Sequence, residues 1–342
     1  MKAITYSAPG DSSVLTLVER EAAVPGSGEV RVRILVSGVN PTDWKSRSTT
    51  GPTAGADIVP NQDGAGVIDA VGDGVDAFAV GDRVWIFYAQ KGGPTGTAQE
   101  FTVLPASRVV RLPDDIDFAV GASLGVPAIT AHRALTVHEA GPAHLAPGAL
   151  DGRIVLVQGG AGAVGHAAIQ LARWAGATVI ATVSSDAKGA LATAAGAHHV
   201  IDYTRGDLVE RVAEIAPTGV DQIVEVSIAA NIEADIRMAA LHAVVAYYAD
   251  DGGSTFTAST RAAFAKNLRI QGVLLYTVGE DAFRTAADDI TAALLDGALP
   301  VGEDAGLPLT WFDLADTAAA PDAVQAATVG KVLIRVSDFS GS

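Results

Sequence analysis

The stretch that decides the fold is IVLVQGGAGAVGHAAIQLAR, residues 154–173. Its four aliphatic residues at 154–157 predict a buried strand, and the alanine-rich run from residue 163 predicts a helix. Between them, Gly160, Gly162 and Gly165 have the spacing G-x-G-x-x-G. A turn this tight needs residues without a Cβ, so that the helix can pack directly against the strand. The stretch therefore predicts a strand, a glycine turn and a helix in direct succession.

The glycine turn also predicts a binding site for the pyrophosphate of a dinucleotide. The first N–H groups of a helix have no intrahelical partner, and the helix dipole places positive charge at the same end. A glycine triplet is found in tight turns that bind nothing, but the complete strand–turn–helix context favours a cofactor site. We expect the turn to contact the cofactor through Gly160, Ala161, Gly162, Ala163, Val164 and Gly165.

The pattern around this stretch predicts an α/β protein with two domains. After residue 154, apolar runs alternate with helical stretches, which is typical of a parallel sheet with helices on both faces. Before residue 129, short runs of period two are separated by Gly and Pro turns, as in a compact, barrel-like β domain. Residues 51–60 are rich in Gly, Pro, Thr and Ala and are expected to form a loop.

The composition excludes several classes of function. The 342 residues carry a net charge of -16, which disfavours nucleic acid as a partner. The chain has no cysteine, which excludes disulfides, thiolate catalysis and cysteine-bound zinc. The start of the chain lacks the pattern of a signal peptide, and polar residues interrupt the most apolar stretch, at 154–183. We expect a cytoplasmic protein with no membrane partner.

The residues after the second predicted strand of the parallel sheet indicate which nicotinamide cofactor is bound. Ser184 and Ser185 stand where NAD-binding folds place an acidic residue, and Lys188 follows one helical turn later. Together with Tyr203, these side chains suit a 2′-phosphate, which favours NADPH. Asp186 is an alternative ligand for the ribose, although we expect it to cap the following helix.

The motifs resemble the zinc-free quinone oxidoreductase branch (zeta-crystallin-like) of the medium-chain dehydrogenase/reductase superfamily. The resemblance covers nearly the whole chain and includes, besides the glycine turn, GVNPTD (38–43), DGAGVI (63–68), VGDRV (80–84), LGVPAITA (124–131), GAHHVIDY (196–203) and GKVL (330–333). It implies a GroES-like catalytic domain at residues 1–128 and 277–342, and a Rossmann domain at residues 129–276. Zinc-dependent relatives have cysteine where Asn40 stands and histidine where Gln62 stands, so no bound metal is expected.

The resemblance also assigns residues to the site. It places Asn40 and Asp43 beside the nicotinamide, Thr130 near its ribose, and Lys188 and Tyr203 at the 2′-phosphate. The Asn40 amide either donates to a developing oxyanion or only fixes the Asn-Pro turn. The remaining candidates are proton sources and residues at the ends of the later apolar runs: Lys45 and Tyr88 for the proton, and Ser227, Tyr248 and Leu275 for the cofactor.

The expected reaction is hydride transfer from NADPH to a quinone or another conjugated carbonyl, such as an enone, without zinc. One alternative is an enoyl-thioester reductase, and another is an NADPH-binding regulatory protein with incidental turnover. The fifth strand of the parallel sheet lacks the glycines that are usual in the family, which affects the floor of the nicotinamide site. The last apolar strand, at residues 268–276, would be an exposed edge in a monomer, so a homodimer is expected.

Overall fold

The computed structural model describes residues 1–49 and 56–338. It divides into two compact units, Met1–Val126 with Leu309–Ser342, and Pro127–Pro308. Among the described residues, no helix has both the length and the apolar character needed to cross a membrane. Residues 51–55, the first half of the loop expected at residues 51–60, lie outside the described part.

The N-terminal part of the chain consists mainly of strands, as the period-two pattern predicts. Its two helices are α1 (Pro41–Thr49) and α2 (Phe118–Leu135), and the division between the units falls within α2. The strands are β1 (Lys2–Thr5), β2 (Thr16–Glu19), β3 (Glu29–Val39), β4 (Asp63–Val71), β5 (Arg83–Ile86), β6 (Phe101–Pro105) and β7 (Val109–Arg111).

The central part alternates strands with helices, which confirms the predicted parallel α/β arrangement. The strands are β8 (Ile154–Val157), β9 (Thr178–Val183), β10 (His199–Asp202), β11 (Val220–Glu225), β12 (Ala239–Tyr247) and β13 (Arg269–Gly272). The helices are α3 (Ala163–Trp174), α4 (Asp186–Ala194), α5 (Leu208–Ile215), α6 (Ile228–Met238), α7 (Thr260–Ala265) and α8 (Glu280–Leu295). All strand pairs are parallel, in the order β10-β9-β8-β11-β12-β13.

The last part of the chain returns to the first unit. It forms β14 (Leu309–Asp313), α9 (Ala319–Gln325) and β15 (Lys331–Arg335). Strand β15 pairs antiparallel with β3, which gives the order β14-β15-β3-β4-β5-β7, with β6 also paired to β3. Buried aliphatic residues such as Ile34, Val84 and Ile334 form the core of this unit.

The parallel sheet buries both of its faces, because side chains alternate along each strand. Leu156, Ile180 and Ile223 lie in one cluster with residues of α5 and α6. On the opposite face, Gly160 lies close to Ala181 and to residues of α3 and α4. Strands β8, β9 and β11 are therefore held between two layers of helix, and the turns at their carboxyl ends have a rigid base.

The second unit extends further along the chain than the resemblance implies. Residues 277–308 belong to it, whereas the expected boundary assigned them to the catalytic domain. Hydrogen bonds explain the difference, since His166 Nε2 lies 2.9 Å from the carbonyl oxygen of Ala305 and Gln170 Nε2 donates to that of Pro300 at 2.9 Å. These bonds fix the end of the segment on α3.

The last strand of the parallel sheet is shorter than predicted. Apolar residues at 268–276 favoured a long strand, but β13 ends at Gly272. Leu275 is buried in a 3-10 turn, Leu275–Thr277, so its apolar character serves packing after the strand has ended. The sheet edge that this strand provides is only four residues long.

Asp289 on α8 connects three segments of the second unit. Its Oδ2 atom lies 2.7 Å from His132 Nε2 on α2 and accepts from the backbone N–H of Leu145 at 2.7 Å. Its Oδ1 atom lies 3.1 Å from Nδ1 of His144. Burial opposes ionisation of this carboxyl, but the bonds from His132, Leu145 and His144 outweigh it and lower the pKa of Asp289.

Replacing Asp289 by asparagine is expected to lower the free energy of unfolding at neutral pH by about 1.5–3 kcal/mol, the value of hydrogen bonds to a charged group. Because the pKa of Asp289 is depressed in the fold, its contribution is present above the unfolded pKa and disappears as the pH falls through the folded pKa. The free energies of unfolding of the wild type and the variant, measured by denaturant titration, should therefore become equal at acidic pH. Asp288→Asn, at an exposed neighbour on α8, is the control and should change little. An equal loss for both variants would contradict this assignment.

Candidate functional site

The glycine turn joins the buried strand β8 to an uncapped helix. Gly159 has a φ of +73°, a left-handed conformation that favours glycine. Gly162 stands at the N-cap of α3 with extended backbone and offers no side chain to cap the helix. The turn is open at this point, with Gly162 exposed and Ala163 and Val164 partly exposed. The first N–H groups of α3 are therefore available for an anion.

Two further glycines of the turn are required by close packing. A Cβ on Gly165 would collide with the carbonyl group of Gly159, and a Cβ on Gly160 would lie 2.9 Å from Cβ of Ala181. The backbone N–H of Gly160 donates to the carbonyl oxygen of Thr182 at 3.0 Å. The turn is thus held against β9, and its own backbone occupies the space that side chains would need.

A small polar group lies at the carboxyl end of β9, where the 2′-substituent of the ribose was expected. Lys188 Nζ donates to Ser184 Oγ at 3.1 Å, and all of Ser184, Ser185 and Lys188 are half-buried. Tyr203 follows β10, with its backbone N–H bonded to the carbonyl oxygen of Val183 at 3.0 Å and half of the residue exposed. One ammonium and two hydroxyl groups can donate to a phosphate at this place.

Asp186 does not cap α4, contrary to the expectation from sequence. Ser185 is the N-cap, because its Oγ accepts from the backbone N–H of Lys188 at 3.3 Å. Asp186 instead forms an ion pair with Arg205, in which both carboxylate oxygens lie 2.9 Å from guanidinium nitrogens. Arg205 was absent from the predicted site, although its position two residues after Tyr203 could have suggested it. Its guanidinium also lies 3.2 Å from Asp202.

The other predicted cofactor residues occupy separate segments of the second unit. Ser227 and Tyr248 follow β11 and β12, and both donate backbone N–H groups to Glu225, Ser227 to the side chain and Tyr248 to the carbonyl oxygen at 3.1 Å. Thr130 is buried on α2, and Leu275 is buried in the 3-10 turn after β13. The structure therefore brings Ser227 and Tyr248 together at Glu225.

The first unit contains a buried polar cluster around Asn40. The Asn40 amide donates from Nδ2 to Asp63 Oδ2 at 2.7 Å and accepts at Oδ1 from Lys331 Nζ at 2.7 Å. Lys331 Nζ also lies 3.7 Å from Asp63 Oδ2, and Asp63 accepts from the backbone N–H of Val126 at 2.9 Å. These two charged partners fix the orientation of the amide. Asp63 and Lys331 were not among the predicted site residues.

Asp43 completes this cluster from α1. Its Oδ2 accepts from the backbone N–H of Asn40 at 2.7 Å, which holds the Asn-Pro turn. Burial, and then the negative charge of Asp63, raise the pKa of Asp43 to about 7. Burial lowers the pKa of Lys331 and raises that of Asp63, although each favours the charged form of the other. The cluster therefore combines two carboxyl groups with one ammonium group.

The two candidate proton sources lie elsewhere in the first unit. Lys45 is on α1, with Nζ 5.9 Å from the centre of the Trp44 ring. Tyr88 is buried after β5, has a φ of +57°, and its ring centre lies 4.8 Å from Lys91 Nζ.

The positions that hold metal ligands in zinc-dependent relatives are occupied by bonded amides. Asn40 lies in the cluster just described, and Gln62 Nε2 donates to Gln90 Oε1 at 2.9 Å. Within residues 1–49 and 56–338, no three or more His, Cys, Asp or Glu side chains are grouped so that they could hold a metal ion.

Family models match both parts of the chain. The model described as "Alcohol dehydrogenase GroES-like domain" matches residues 26–114, and the model described as "Zinc-binding dehydrogenase" matches residues 163–292. The first range lies in the strand-rich unit, and the second begins at Ala163, the first residue of α3. The fold class predicted from sequence, a GroES-like domain with a Rossmann domain, is confirmed.

Similar proteins identify the branch. The quinone oxidoreductase of Rattus norvegicus is 33% identical over 301 residues, which are 87% of each chain. The solved structure of a mycobacterial quinone oxidoreductase has a TM-score of 0.83 at 28% identity and covers 98% of this chain and 99% of its own. A mycobacterial structure complexed with NADPH has a TM-score of 0.82 at 29% identity, with 98% and 100% covered. This chain belongs to the quinone oxidoreductase branch of the medium-chain dehydrogenase/reductase superfamily.

Proposed function

We propose that this protein is an NADPH-dependent reductase that acts without zinc on quinones or on other conjugated carbonyl compounds, such as enones. The observation that supports it most is the glycine turn, which opens onto the uncapped N-terminus of α3 in a chain of the quinone oxidoreductase family. When bound, NADPH would supply the hydride that the acceptor takes up. The protein supplies binding, orientation and exclusion of water.

The residues of the second unit fit a phosphorylated dinucleotide. No side chain fills the turn at Gly162, and the packing of Gly165 keeps the backbone close to where a pyrophosphate would lie. Ser184 and Lys188 would hold the 2′-phosphate, which carries close to two negative charges at neutral pH. Because the chain as a whole is strongly acidic, the attraction must come from these local donors.

Replacing Lys188 by alanine is expected to weaken NADPH binding about tenfold, because a half-exposed charged hydrogen bond is worth about 1.4 kcal/mol, at the lower end of its range. NADH has no phosphate at this position, so its binding should change little. The measurement is the ratio of kcat/KM for the two cofactors in the wild type and the variant. Equal kcat/KM for NADPH and NADH in the wild type would contradict the preference for NADPH. Equal losses of kcat/KM for both cofactors in the variant would contradict it as well. In either case Asp186 would be the candidate ligand of the ribose.

In the first unit, we propose that Asn40 is the residue that meets the acceptor. A primary amide has two N–H groups, and Asp63 uses one of them. The second can donate to an oxygen that becomes negative during hydride transfer. Asp43 keeps Asn40 in place through the backbone, and Lys45 and Tyr88 stay as candidate proton sources. The alternative, that Asn40 only fixes its turn, predicts normal kcat for an Asn40→Ser variant that folds.

A panel of acceptors tests the proposed function against its alternatives. NADPH oxidation would be followed with a naphthoquinone, an α,β-unsaturated ketone and a crotonyl thioester, before and after dialysis against a strong chelator. We expect the protein to reduce the quinone or the ketone, and we expect this activity to be the same before and after chelator treatment. Turnover of the thioester alone would indicate an enoyl-thioester reductase. Tight binding of NADPH without turnover of any acceptor would indicate a regulatory protein, and activity restored only by zinc would contradict metal independence.

We further propose that the protein forms a homodimer through the edge of the parallel sheet. In the described part of the chain, β10 and β13 are the two edge strands of this sheet, and Phe264 and Leu274 near β13 are more than half exposed. Unpaired edges next to apolar residues favour pairing with another chain. Light scattering at micromolar concentration should give twice the mass of one chain, and Leu274→Asp should shift the protein towards one chain. A monomeric wild type would contradict this proposal.

A further inference from the structure

The second unit contains a buried carboxyl pair that the proposed chemistry does not use. Glu225 ends β11, Asp235 lies on α6, and both side chains are fully buried. The two carboxyl groups lie within hydrogen-bonding reach of each other. In the part of the chain that the structure describes, no lysine or arginine forms an ion pair or a hydrogen bond with either of them. The pair therefore has no cation to balance two negative charges.

A single shared proton resolves this imbalance. Two buried carboxylates side by side repel each other, so one of them retains its proton. Asp235 Oδ2 has no donor among the described residues, which leaves it free to carry that proton and donate it to Glu225. Burial, and then the charge of Glu225, raise the pKa of Asp235 to about 9. Glu225 accepts from Ser227 N–H and from Asn231 Nδ2 at 3.2 Å, which suits the ionised partner.

The protonated pair continues a chain of hydrogen bonds that begins at the glycine turn. Gly159 N–H donates to Thr182 Oγ1 at 3.3 Å, and Thr182 Oγ1 donates to Gln158 Oε1 at 2.6 Å. Gln158 Nε2 then donates to Asp235 Oδ1 at 3.1 Å. Each group in this series of hydrogen bonds donates to the next one. The series can therefore end only on an acceptor, and the Glu225 carboxylate is that acceptor.

We propose that Asp235 and Glu225 are positioning residues, whose shared proton holds the glycine turn and the segment at Ser227 in the geometry that binds the cofactor. This inference rests on the proposed NADPH site. Loss of the proton would leave two unpaired charges and break the contact between Asp235 and Glu225, one of the contacts that join α6 to β11. Repulsion between the two carboxylates would displace Asp235, which accepts from Gln158 Nε2, and the turn that Gln158 supports would shift with it.

The groups near the pair do not replace this proton. Tyr248 follows β12, and burial together with Glu225 raises its pKa, so it stays neutral over the relevant range. Asp251 is a further carboxyl group near Tyr248 and contributes to the raised pKa of that residue. The other charged residues of α6, Glu233 and Arg237, are exposed. Asp235 is thus the group whose titration should be visible in the behaviour of this site.

Asp235→Asn tests the shared proton without any cofactor. Asparagine keeps an acceptor for Gln158 and a permanent N–H donor for Glu225, so the variant mimics protonated Asp235. The raised pKa means that folded wild type retains a proton that the unfolded chain releases above a pKa of about 3.9. Between that value and about 9, the unfolding constant of the wild type should rise about tenfold per pH unit relative to the variant. Glu233→Gln, on the same helix but exposed, should follow the wild type.

NADPH titrations of the same proteins test the positioning role. The dissociation constant of the wild type should rise by about tenfold per pH unit above pH 9, where the shared proton is lost. Asp235→Asn should lack this increase, and the two proteins are compared at equal pH. Glu225→Gln, a second variant if the first does not fold, should move the increase to lower pH, because the carboxylate that raises the pKa of Asp235 is gone.

The outcomes separate this inference from the proposed function. Equal pH dependence of unfolding in wild type and Asp235→Asn would overturn the shared proton. A difference in unfolding combined with identical pH dependence of NADPH binding would overturn the positioning role. If the wild type binds no NADPH at any pH, the proposed function fails and the positioning role fails with it, while the unfolding measurement still decides whether the proton is shared.

Discussion

Replacing Lys331 by methionine is expected to lower the free energy of unfolding by about 3–5 kcal/mol, the cost of removing one partner from a buried ion pair. Lys331 is 2% exposed, and its ammonium is the cation that contacts Asn40 and Asp63. Methionine has a similar volume but no charge, so Asp63 would remain in the core without the ammonium group that contacts it. Chemical denaturation at neutral pH measures the loss.

Arg335→Met is the matched control for this prediction, because Arg335 lies on the same strand, β15, but faces solvent. Its pair with Asp313 spans 3.8 Å between exposed side chains, and such pairs contribute about 0–1 kcal/mol. A double variant, Lys331→Met with Asp63→Asn, should recover part of the stability, since it removes the unpaired charge as well as the ammonium. A loss below about 1 kcal/mol for Lys331→Met, or no recovery in the double variant, would contradict the role assigned to the cluster.

Replacing Gly165 by valine is expected to remove cofactor binding. The new Cβ would collide with the carbonyl group of Gly159, which is backbone and cannot move without displacing the turn. Overpacking lowers stability by about 1–3 kcal/mol, and a displaced turn no longer directs its N–H groups at the pyrophosphate. Because a hydrogen bond to a charged group is worth about 1.5–3 kcal/mol, we expect NADPH affinity to fall by about 10- to 150-fold for each such bond lost, as measured by titration of cofactor fluorescence.

Gly162→Ala separates the packing effect from a general intolerance of the turn. A Cβ at Gly162 would lie 3.5 Å from the oxygen of Gly159, an ordinary contact, and its φ of -83° suits any residue. This variant should fold with nearly unchanged stability. If Gly165→Val bound NADPH as tightly as Gly162→Ala does, the turn would not be the cofactor site.

Local pattern was sufficient for the architecture of the second unit. The strand predicted at residues 154–157 is β8, and the helix predicted from residue 163 is α3, because strong periodicity and the glycine turn define where one ends and the other begins. Apolar composition misled at residues 268–276, where the chain leaves the sheet but stays buried. A run of apolar residues reports burial, and it does not report which backbone conformation achieves it.

Contacts between distant residues were beyond the reach of sequence patterns. Lys331 and Asn40 are separated by 291 residues, and a lysine on a strand is usually solvated, so nothing local indicates that they meet. Asp186 was taken for a cap because acidic residues favour that position, but the adjacent Ser185 fills it. Ser184 and Lys188 do lie close together, as their spacing of four residues suggests, because residues about one helical turn apart are neighbours in space.

The most direct test of the central claim is a single-turnover experiment with the protein saturated by NADPH and mixed with the acceptor that the panel turns over fastest. We predict that one acceptor molecule is reduced for each NADPH oxidised, after chelator treatment as before. The rate should fall when the hydrogen transferred from nicotinamide C4 is replaced by deuterium. NADPH that binds in the wild type but remains reduced in the presence of every acceptor would contradict the account.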